Sequence, residues 1–319
     1  MRVLVVTNMY PTETMPAFGV FVYEQVESLR RKGIDVDVLF VNGKSDMWNY
    51  VRGIGQVRQR VREQRYDLIH AHYVFSGIMA RFQRRCPLVV SFHGAGEMAS
   101  WVGWLCRGLA PLVDAFTVTS AEHAAQLRNP HAHIVPCGIN IELFRPQPMA
   151  EARAQLGLDP DKKLVLFAAD LRPEKRVDVA RAAIALLQAQ GIPVELIVLT
   201  GRPHEEVPLY MNACDALVLT SDCEGSPQVI KEAMACNMPI VSVKVGDVAE
   251  VIGSTEGCFL CQQTPADVAA KLAQALAFGR RTEGRAVVMP LSLERIAERI
   301  IGIYQEVLRA KRPAHEAKP

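Results

Sequence analysis

Hydrophobic positions along the chain switch repeatedly between a strand pattern and a helix pattern. Val3–Thr7 is a continuous apolar run, as a parallel strand buried on both faces requires. After a loop holding Pro11, Pro16 and Gly19, residues Val20–Arg31 repeat apolar positions at helical spacing and stop before Gly33. Ile34–Val41 is the next predicted strand. Met47–Arg65 places Tyr50, Val51, Ile54, Val57 and Val61 on one helical face and arginines on the other. Strands over Asp67–His72, Leu88–Phe92, Ala115–Thr119 and Ile134–Val135 follow, with helices over Trp101–Leu109 and Ala121–Leu127. This alternation predicts an α/β fold with a doubly wound parallel sheet.

Residues 145–162 are broken by Pro146, Pro148, Gly157 and Pro160, which marks a domain boundary with one short helix inside it. The alternation then restarts. Strands are predicted over Leu164–Ala168, Val194–Leu199, Ala216–Leu219 and Ile240–Val243. Helices are predicted over Val177–Gln190, Glu206–Asn212, Pro227–Ala235, Pro265–Phe278 and Leu293–Ala310. The expected organisation is therefore two Rossmann-like domains, residues 1–148 and 149–319. A ligand crevice is expected where they face one another, at the carboxyl ends of the strands.

The 319 residues are 50% hydrophobic and 22% charged, enough apolar material for two cores and too much for a disordered chain. No apolar run reaches the roughly 18 residues that span a bilayer, and the N-terminus lacks a leader pattern. Eight cysteines scattered through such a chain argue against a disulfide framework, so the expected compartment is the cytoplasm. Net charge is +2, but residues 1–150 hold 16 Lys and Arg against 12 Asp and Glu. That excess is too small for nucleic-acid binding and leaves an anionic acceptor or a peripheral membrane contact open.

The richest chemistry lies in Ser221-Asp222-Cys223-Glu224-Gly225-Ser226-Pro227-Gln228, running into Val229-Ile230-Lys231-Glu232. It follows a predicted strand and opens a predicted helix, with Ser226 expected as the cap and Pro227 at the first helical position. Amide groups at such a helix end attract anions. Glu224 precedes the helix, and Glu232 lies inside it, displaced by about 7–8 Å at 1.5 Å per residue. Two carboxylates bracketing a phosphate site suit a nucleotide sugar, which carries hydroxyls on both sides of a diphosphate. Spacing alone leaves a solvated helix face equally open.

Glu224 and Glu232 stand in dense context: Ala213-Cys214-Asp215, Glu224-Gly225-Ser226-Pro227, Lys231-Glu232-Ala233-Met234-Ala235, Pro239-Ile240-Val241 and Val245-Gly246-Asp247-Val248. Upstream stand Val135-Pro136-Cys137-Gly138-Ile139-Asn140 and Phe144-Arg145-Pro146. This set resembles the retaining GT-B glycosyltransferases of family 4, also known as glycosyl transferases group 1. Their signature is two glutamates separated by seven residues. Cys137 and Asn140 depart from the family's usual polar residues in the upstream motif. The resemblance covers nearly the whole chain.

The resemblance implies sugar transfer from a UDP- or GDP-linked donor to a glycan or lipid-linked acceptor in cell-surface polysaccharide synthesis. It implies no metal and no cofactor. The N-terminal domain would bind the acceptor and the C-terminal domain the donor, with the last helix, about 293–310, packing back on the first domain. Glu224 would contact the donor sugar and Glu232 the ribose, with Gly225, Ser226, Pro227 and Gln228 around the phosphates. Lys175 matches the family's diphosphate lysine. The family arginine falls on Asp170 here, which leaves Arg172 as the shifted substitute. His93 and Gly94 match a histidine–glycine pair near the transferred sugar, and Glu97 stands in for a following aspartate. Gly19 matches the family's glycine loop. Arg202 falls in the stretch that reads the nucleotide base, and His72 is placed in the acceptor cleft.

Other signals carry less. Asp35-Val36-Asp37 spells a metal-binding D-x-D but sits inside an alternating strand. His70-Ala71-His72 ends a strand, and Cys258-Phe259-Leu260-Cys261 lacks the second pair a zinc site needs. The helix over 47–65, with Met47, Trp48 and Tyr50, reads as a packed helix with a solvated face or as a membrane-surface helix. Three alternative functions share this architecture: a nucleotide-sugar 2-epimerase, a non-catalytic nucleotide-sugar-binding protein and a dinucleotide dehydrogenase. The last is disfavoured because Thr7-Asn8-Met9-Tyr10-Pro11 lacks G-x-G-x-x-G.

Overall fold

A computed structural model describes residues 1–15, 18–43, 45–94 and 101–311. The chain divides into two units: Met1–Gly138 together with the segment from Leu293 on, and Ile139–Ser292. The division falls ten residues before the expected boundary at 148. The intervening residues are claimed by the second core: Ile139 and Phe144 are buried in it. Arg285 donates to the Phe144 carbonyl at 2.7 Å and the Ile141 carbonyl at 2.8 Å, and Asn212 donates to the Arg145 carbonyl at 3.0 Å.

Unit 1 is a six-stranded parallel sheet in the order β2-β1-β3-β4-β5-β6. Its strands are β1 (Arg2–Thr7), β2 (Asp35–Phe40), β3 (Leu68–His72), β4 (Leu88–Phe92), β5 (Ala115–Val118) and β6 (His133–Ile134). Valine and leucine fill β1 because both of its faces are covered. Helix α1 (Val20–Arg31) buries Val22, Val26 and Leu29, a helical stripe, against that sheet. Helices α2 (Trp48–Glu63), α3 (Val74–Arg81) and α4 (Val102–Leu109) pack side by side as one layer, and α5 (Ala121–Leu127) follows β5. The strand order reverses between β1 and β3, so the carboxyl ends of those strands form the topological switch point. Helix α3 is absent from the sequence expectations. Its apolar, glycine-bearing stretch shows no polar face because it is enclosed, with Gly77 so tight that a Cβ would meet Leu109 at 2.7 Å.

Unit 2 has a five-stranded parallel sheet in the order β11-β10-β9-β7-β8. It opens with α6 (Met149–Leu156), followed by β7 (Lys163–Ala168), α7 (Val177–Ala189), β8 (Val194–Leu199), α8 (Val207–Ala213) and β9 (Ala216–Leu219). Then come α9 (Gln228–Ala235), β10 (Ile240–Val243), α10 (Val248–Ile252), β11 (Cys258–Cys261), α11 (Pro265–Phe278) and α12 (Gly284–Val288). The Cys258–Cys261 pair therefore belongs to an edge strand. One core lies under α7 and α11, and a second lies under α8, α9 and α10. The switch point falls between β7 and β9.

The chain returns to unit 1 in α13 (Leu293–Lys311), which packs on α1. Lys32 pairs with Glu298 at 2.6 Å, and Tyr304 is completely buried. Among the described residues, no helix is long and apolar enough to cross a membrane.

Candidate functional site

Two polar constellations occupy the two switch points. In unit 2, the turn at Pro173–Lys175 follows β7 and the loop 220–227 follows β9. The backbone ties them together: the Asp222 amide donates to the Glu174 carbonyl at 2.8 Å, and the Thr220 hydroxyl donates to the Arg176 carbonyl at 2.8 Å. Arg176 makes this possible by adopting a left-handed backbone, φ +53°. Its guanidinium spans Asp178 at 3.0 Å and Asp222 at 3.3 Å. Across the joined loops, Lys175 Nζ donates to Glu224 Oε1 at 2.6 Å. Both side chains are mostly buried, 15% and 14% exposed, so the pair keeps only a small opening to solvent.

The Glu224 loop rests on a buried support. Lys231 is fully enclosed, 3.5 Å from Asp247, and both contact the Ser226 hydroxyl. Burial raises the Asp247 pKa, and the Lys231 ammonium opposes that rise. Gly246 lies against the loop with φ +53°, and a Cβ there would sit 2.5 Å from the Gly225 carbonyl oxygen. Only glycine fits this close approach. The structure corrects the expected cap. Helix α9 begins at Gln228 with Pro227 before it, and Pro227 supplies no side-chain cap. Ser226 points its hydroxyl to Lys231 and Asp247 instead, because those buried charges need it more. Pro227 lacks an N–H, so the first helical amide belongs to Gln228.

Glu232 sits on α9, about 6 Å beyond Gln228 at the helical rise. Its carboxylate, 8% exposed, meets His204 Nε2 at 2.9 Å, and the His204 ring lies 5.1 Å from that of Phe144. His204 as the partner of Glu232 was missed in the sequence, since 28 residues separate them. Arg172 and Arg202 do not join this cluster. Arg172 is 59% exposed and pairs with Glu174 at 3.0 Å, while Arg202 lies out in solvent, 3.7 Å from Glu206.

In unit 1 the switch point gathers histidines. His93, just past β4, meets His72 Nδ1 through Nε2 at 2.8 Å, with the rings stacked at 5.1 Å. The Cys137 sulfur faces His93 Nδ1 at 3.6 Å, so the departure at Cys137 replaces one polar neighbour by a thiol. Behind them His70 bonds Tyr304 Oη at 2.6 Å and Ser91 Oγ at 2.7 Å. Burial pushes the pKa of His70 and of His93 down to about 3 and that of His72 well down, so these rings are neutral at pH 7. His72 is 0% exposed, which corrects its placement as an acceptor contact: it lies behind His93 and orients it. Its Nε2 is buried without a partner among the described residues.

Gly19 precedes α1 with φ +76°, and a Cβ would lie 2.5 Å from the Met9 backbone. The glycine thus lets the loop after β1 fold back on the helix end. Gly94 follows His93 and is partly exposed. Glu97, and the Pro16-Ala17 part of the glycine loop, lie outside the described residues. The Asp35–Asp37 pair is structural: Asp37 accepts from Tyr66 Oη at 2.7 Å and from Arg2 at 2.8 Å.

Residues 18–143 match the family model Glycosyltransferase Family 4, and residues 186–283 match Glycosyl transferases group 1. TuaC of Bacillus subtilis, named as a glycosyltransferase of teichuronic acid biosynthesis, is 25% identical over 79% of this chain and 83% of its own. D-inositol 3-phosphate glycosyltransferase of Acidothermus cellulolyticus is 25% identical over 78% of this chain and 69% of its own. Among solved structures, sucrose-phosphate synthase from Thermosynechococcus elongatus superposes with a TM-score of 0.81. It shares 20% identity and covers 98% of this chain and 100% of that one. Anabaena HepE in complex with UDP gives 0.68 at 18% identity, covering 97% and 99%. The structural likenesses speak to the fold, which is that of GT-B proteins.

Proposed function

The chain belongs to glycosyltransferase family 4, and from that premise we propose that it transfers a sugar from a UDP- or GDP-linked donor with retention of configuration. The acceptor class we propose is a glycan or lipid-linked saccharide of cell-surface polysaccharide synthesis, in the cytoplasm. The observation that carries this reading is the Lys175–Glu224 pair at the unit 2 switch point, with Glu232 one helical step away.

The roles follow from the chemistry. A nucleoside diphosphate leaves with negative charge, which must be neutralised as it develops. Lys175 has its ammonium at the opening and exchanges Glu224 for a diphosphate oxygen when donor binds. Glu224 is then free to accept a hydrogen bond from a donor hydroxyl. Arg172, exposed on the same turn, swings in from Glu174 as the second cation. Glu232, steered by His204, accepts from the ribose hydroxyls, and the amide of Gln228 faces the phosphates together with Gly225, Ser226 and Pro227. Arg202 borders the base. In unit 1, neutral His93 keeps Nε2 on His72 and exchanges the long contact of Nδ1 with the Cys137 sulfur for a sugar hydroxyl, without adding charge, while Gly19 and Gly94 border the sugar and acceptor. Charge neutralisation by side chains is the reason we propose that no metal is required.

Thermal-shift titration with UDP, GDP, ADP and NAD, each with and without EDTA, tests this reading. Ligand at 100 times its dissociation constant stabilises by about 2.7 kcal/mol. The expected result is an EDTA-insensitive shift with UDP or GDP, reduced in Glu232→Ala. A shift with NAD alone, or consumption of no nucleotide sugar by the intact chain with any offered acceptor, overturns it.

A further inference from the structure

Tryptophan is normally largely buried, yet all three tryptophans of this chain are exposed: Trp48 69%, Trp101 66% and Trp104 74%. They lie on one layer. Trp48 is on α2, next to Tyr50, whose ring stacks on Phe75 of α3 at 5.0 Å. Phe75 in turn meets Trp101, at the start of α4, at 6.1 Å. Met47 and Val51 are exposed beside Trp48. Arg107 lies over the Trp104 ring at 4.9 Å. An apolar surface of this kind on a helix layer marks a contact with something apolar.

The other end of the same layer is cationic. A cavity of about 670 Å³ opens between the ends of α2 and α3, and five arginines line it: Arg58, Arg62, Arg81, Arg84 and Arg85. Among the described residues, no carboxylate lines it. Arg81, one of these lining residues, has its Nε buried with no partner among the described residues. Exposed Phe82 and Leu112 form the apolar wall, and Arg58 holds the Phe82 carbonyl at 2.9 Å. In the adjoining depression, Asp114 is already taken by Lys311 at 2.7 Å.

We propose that the α2–α3–α4 face of unit 1 docks on a bilayer carrying anionic phosphate headgroups. The tryptophans enter the interfacial region and the arginine cavity takes a lipid phosphate. Indole rings favour the boundary between headgroups and acyl chains, and clustered arginines are attracted to an anionic leaflet. Neither the aromatic nor the cationic half alone selects this partner. A soluble polyanion has no use for three exposed indoles, and a neutral apolar partner has none for five clustered arginines. The inference is independent of the donor assignment.

The test uses the full chain and two vesicle preparations, phosphatidylcholine alone and phosphatidylcholine with a third phosphatidylglycerol. Sedimentation should show at least about tenfold stronger binding to the anionic vesicles, weakened by high salt. Because every tryptophan lies on this face, intrinsic emission should shift to the blue on binding. Arg84→Glu combined with Arg85→Glu should lower anionic-vesicle binding about tenfold or more, and Trp48→Ala with Trp104→Ala should lower it several-fold. These side chains are exposed, so the thermal midpoints should not move. Equal binding to both vesicles, binding without an emission shift, or no binding overturns the proposal. Stabilisation by inorganic phosphate without vesicle binding also overturns it, by identifying a free phosphate as the occupant.

Discussion

Unit 1 crowds neutral imidazoles at its switch point, where unit 2 places lysine–carboxylate pairs. Both sheets are doubly wound and parallel, so the backbone does not account for the difference. The side chains show two ways of keeping polar groups out of water. In unit 1 the rings shed their charge and pass hydrogen bonds from Tyr304 through His70 to Ser91 and Thr117. A neutral ring costs little to bury once bonded. In unit 2 charge is kept, in two grades: Lys231 and Asp247 are sealed beneath the loop, while Lys175 and Glu224 retain an opening. A sealed pair gives shape, and an open pair can exchange partners with a ligand.

The most severe way to break this comparison is Asp247→Ala. Removing the carboxylate beside enclosed Lys231 should destabilise unit 2 by about 3–5 kcal/mol, read by hydrogen exchange in α9 while unit 1 protection stays level. Acid should do the reverse. The folded pKa values of His70 and His72 lie below that of a free imidazole near 6.5. The unfolded chain therefore binds protons first as pH falls. For His70, whose folded value is about 3, the stabilisation from keeping the ring neutral is complete above about pH 6.5 and is lost toward pH 3, about 2 kcal/mol by pH 5, and His72 acts in the same direction. Urea unfolding followed by exchange in β3 and β4 should show unit 1 weakening over that window.

A smaller effect is expected for Tyr304→Phe, which strips His70 Nδ1 of its partner. About 1–3 kcal/mol should be lost, again confined to unit 1. The smallest sharpens the contrast within unit 2. Lys175→Ala breaks the open pair and should cost less stability than Asp247→Ala, because the opening lets water reach Glu224, while transfer activity falls at least about a hundredfold. A large stability loss there would make Lys175–Glu224 a structural pair like Lys231–Asp247.

Regular elements with a polar face were legible in the sequence. Val20–Arg31 shows its stripe and its terminating glycine, and the structure has a helix over the same residues. Val74–Arg81 was invisible because an enclosed helix has no periodicity to display. In the site, Glu224, Glu232 and Lys175 were legible because loop and helix chemistry concentrates them locally. Pairings that depend on the fold were not. His204 reaches Glu232 from another loop, Ser226 abandons its capping position for buried charges, and His72 turns its ring toward His93 rather than the surface. The deciding neighbours His204, Asp247 and His93 lie 28, 21 and 21 residues from their partners, beyond any short window of sequence.

The chain leaves unit 1 at Gly138 and re-enters it at Leu293, so the whole of unit 2 is an insertion in the chain path of unit 1. During synthesis from the N-terminus, unit 2 has all its strands before α13 exists. Until residues 293–311 emerge, α1 lacks the helix that covers it, and His70 lacks the hydroxyl of Tyr304. The second unit in space is thus the first that can be finished on the ribosome. A nascent chain truncated before α13 leaves the histidine cluster as an incomplete surface for chaperones to hold.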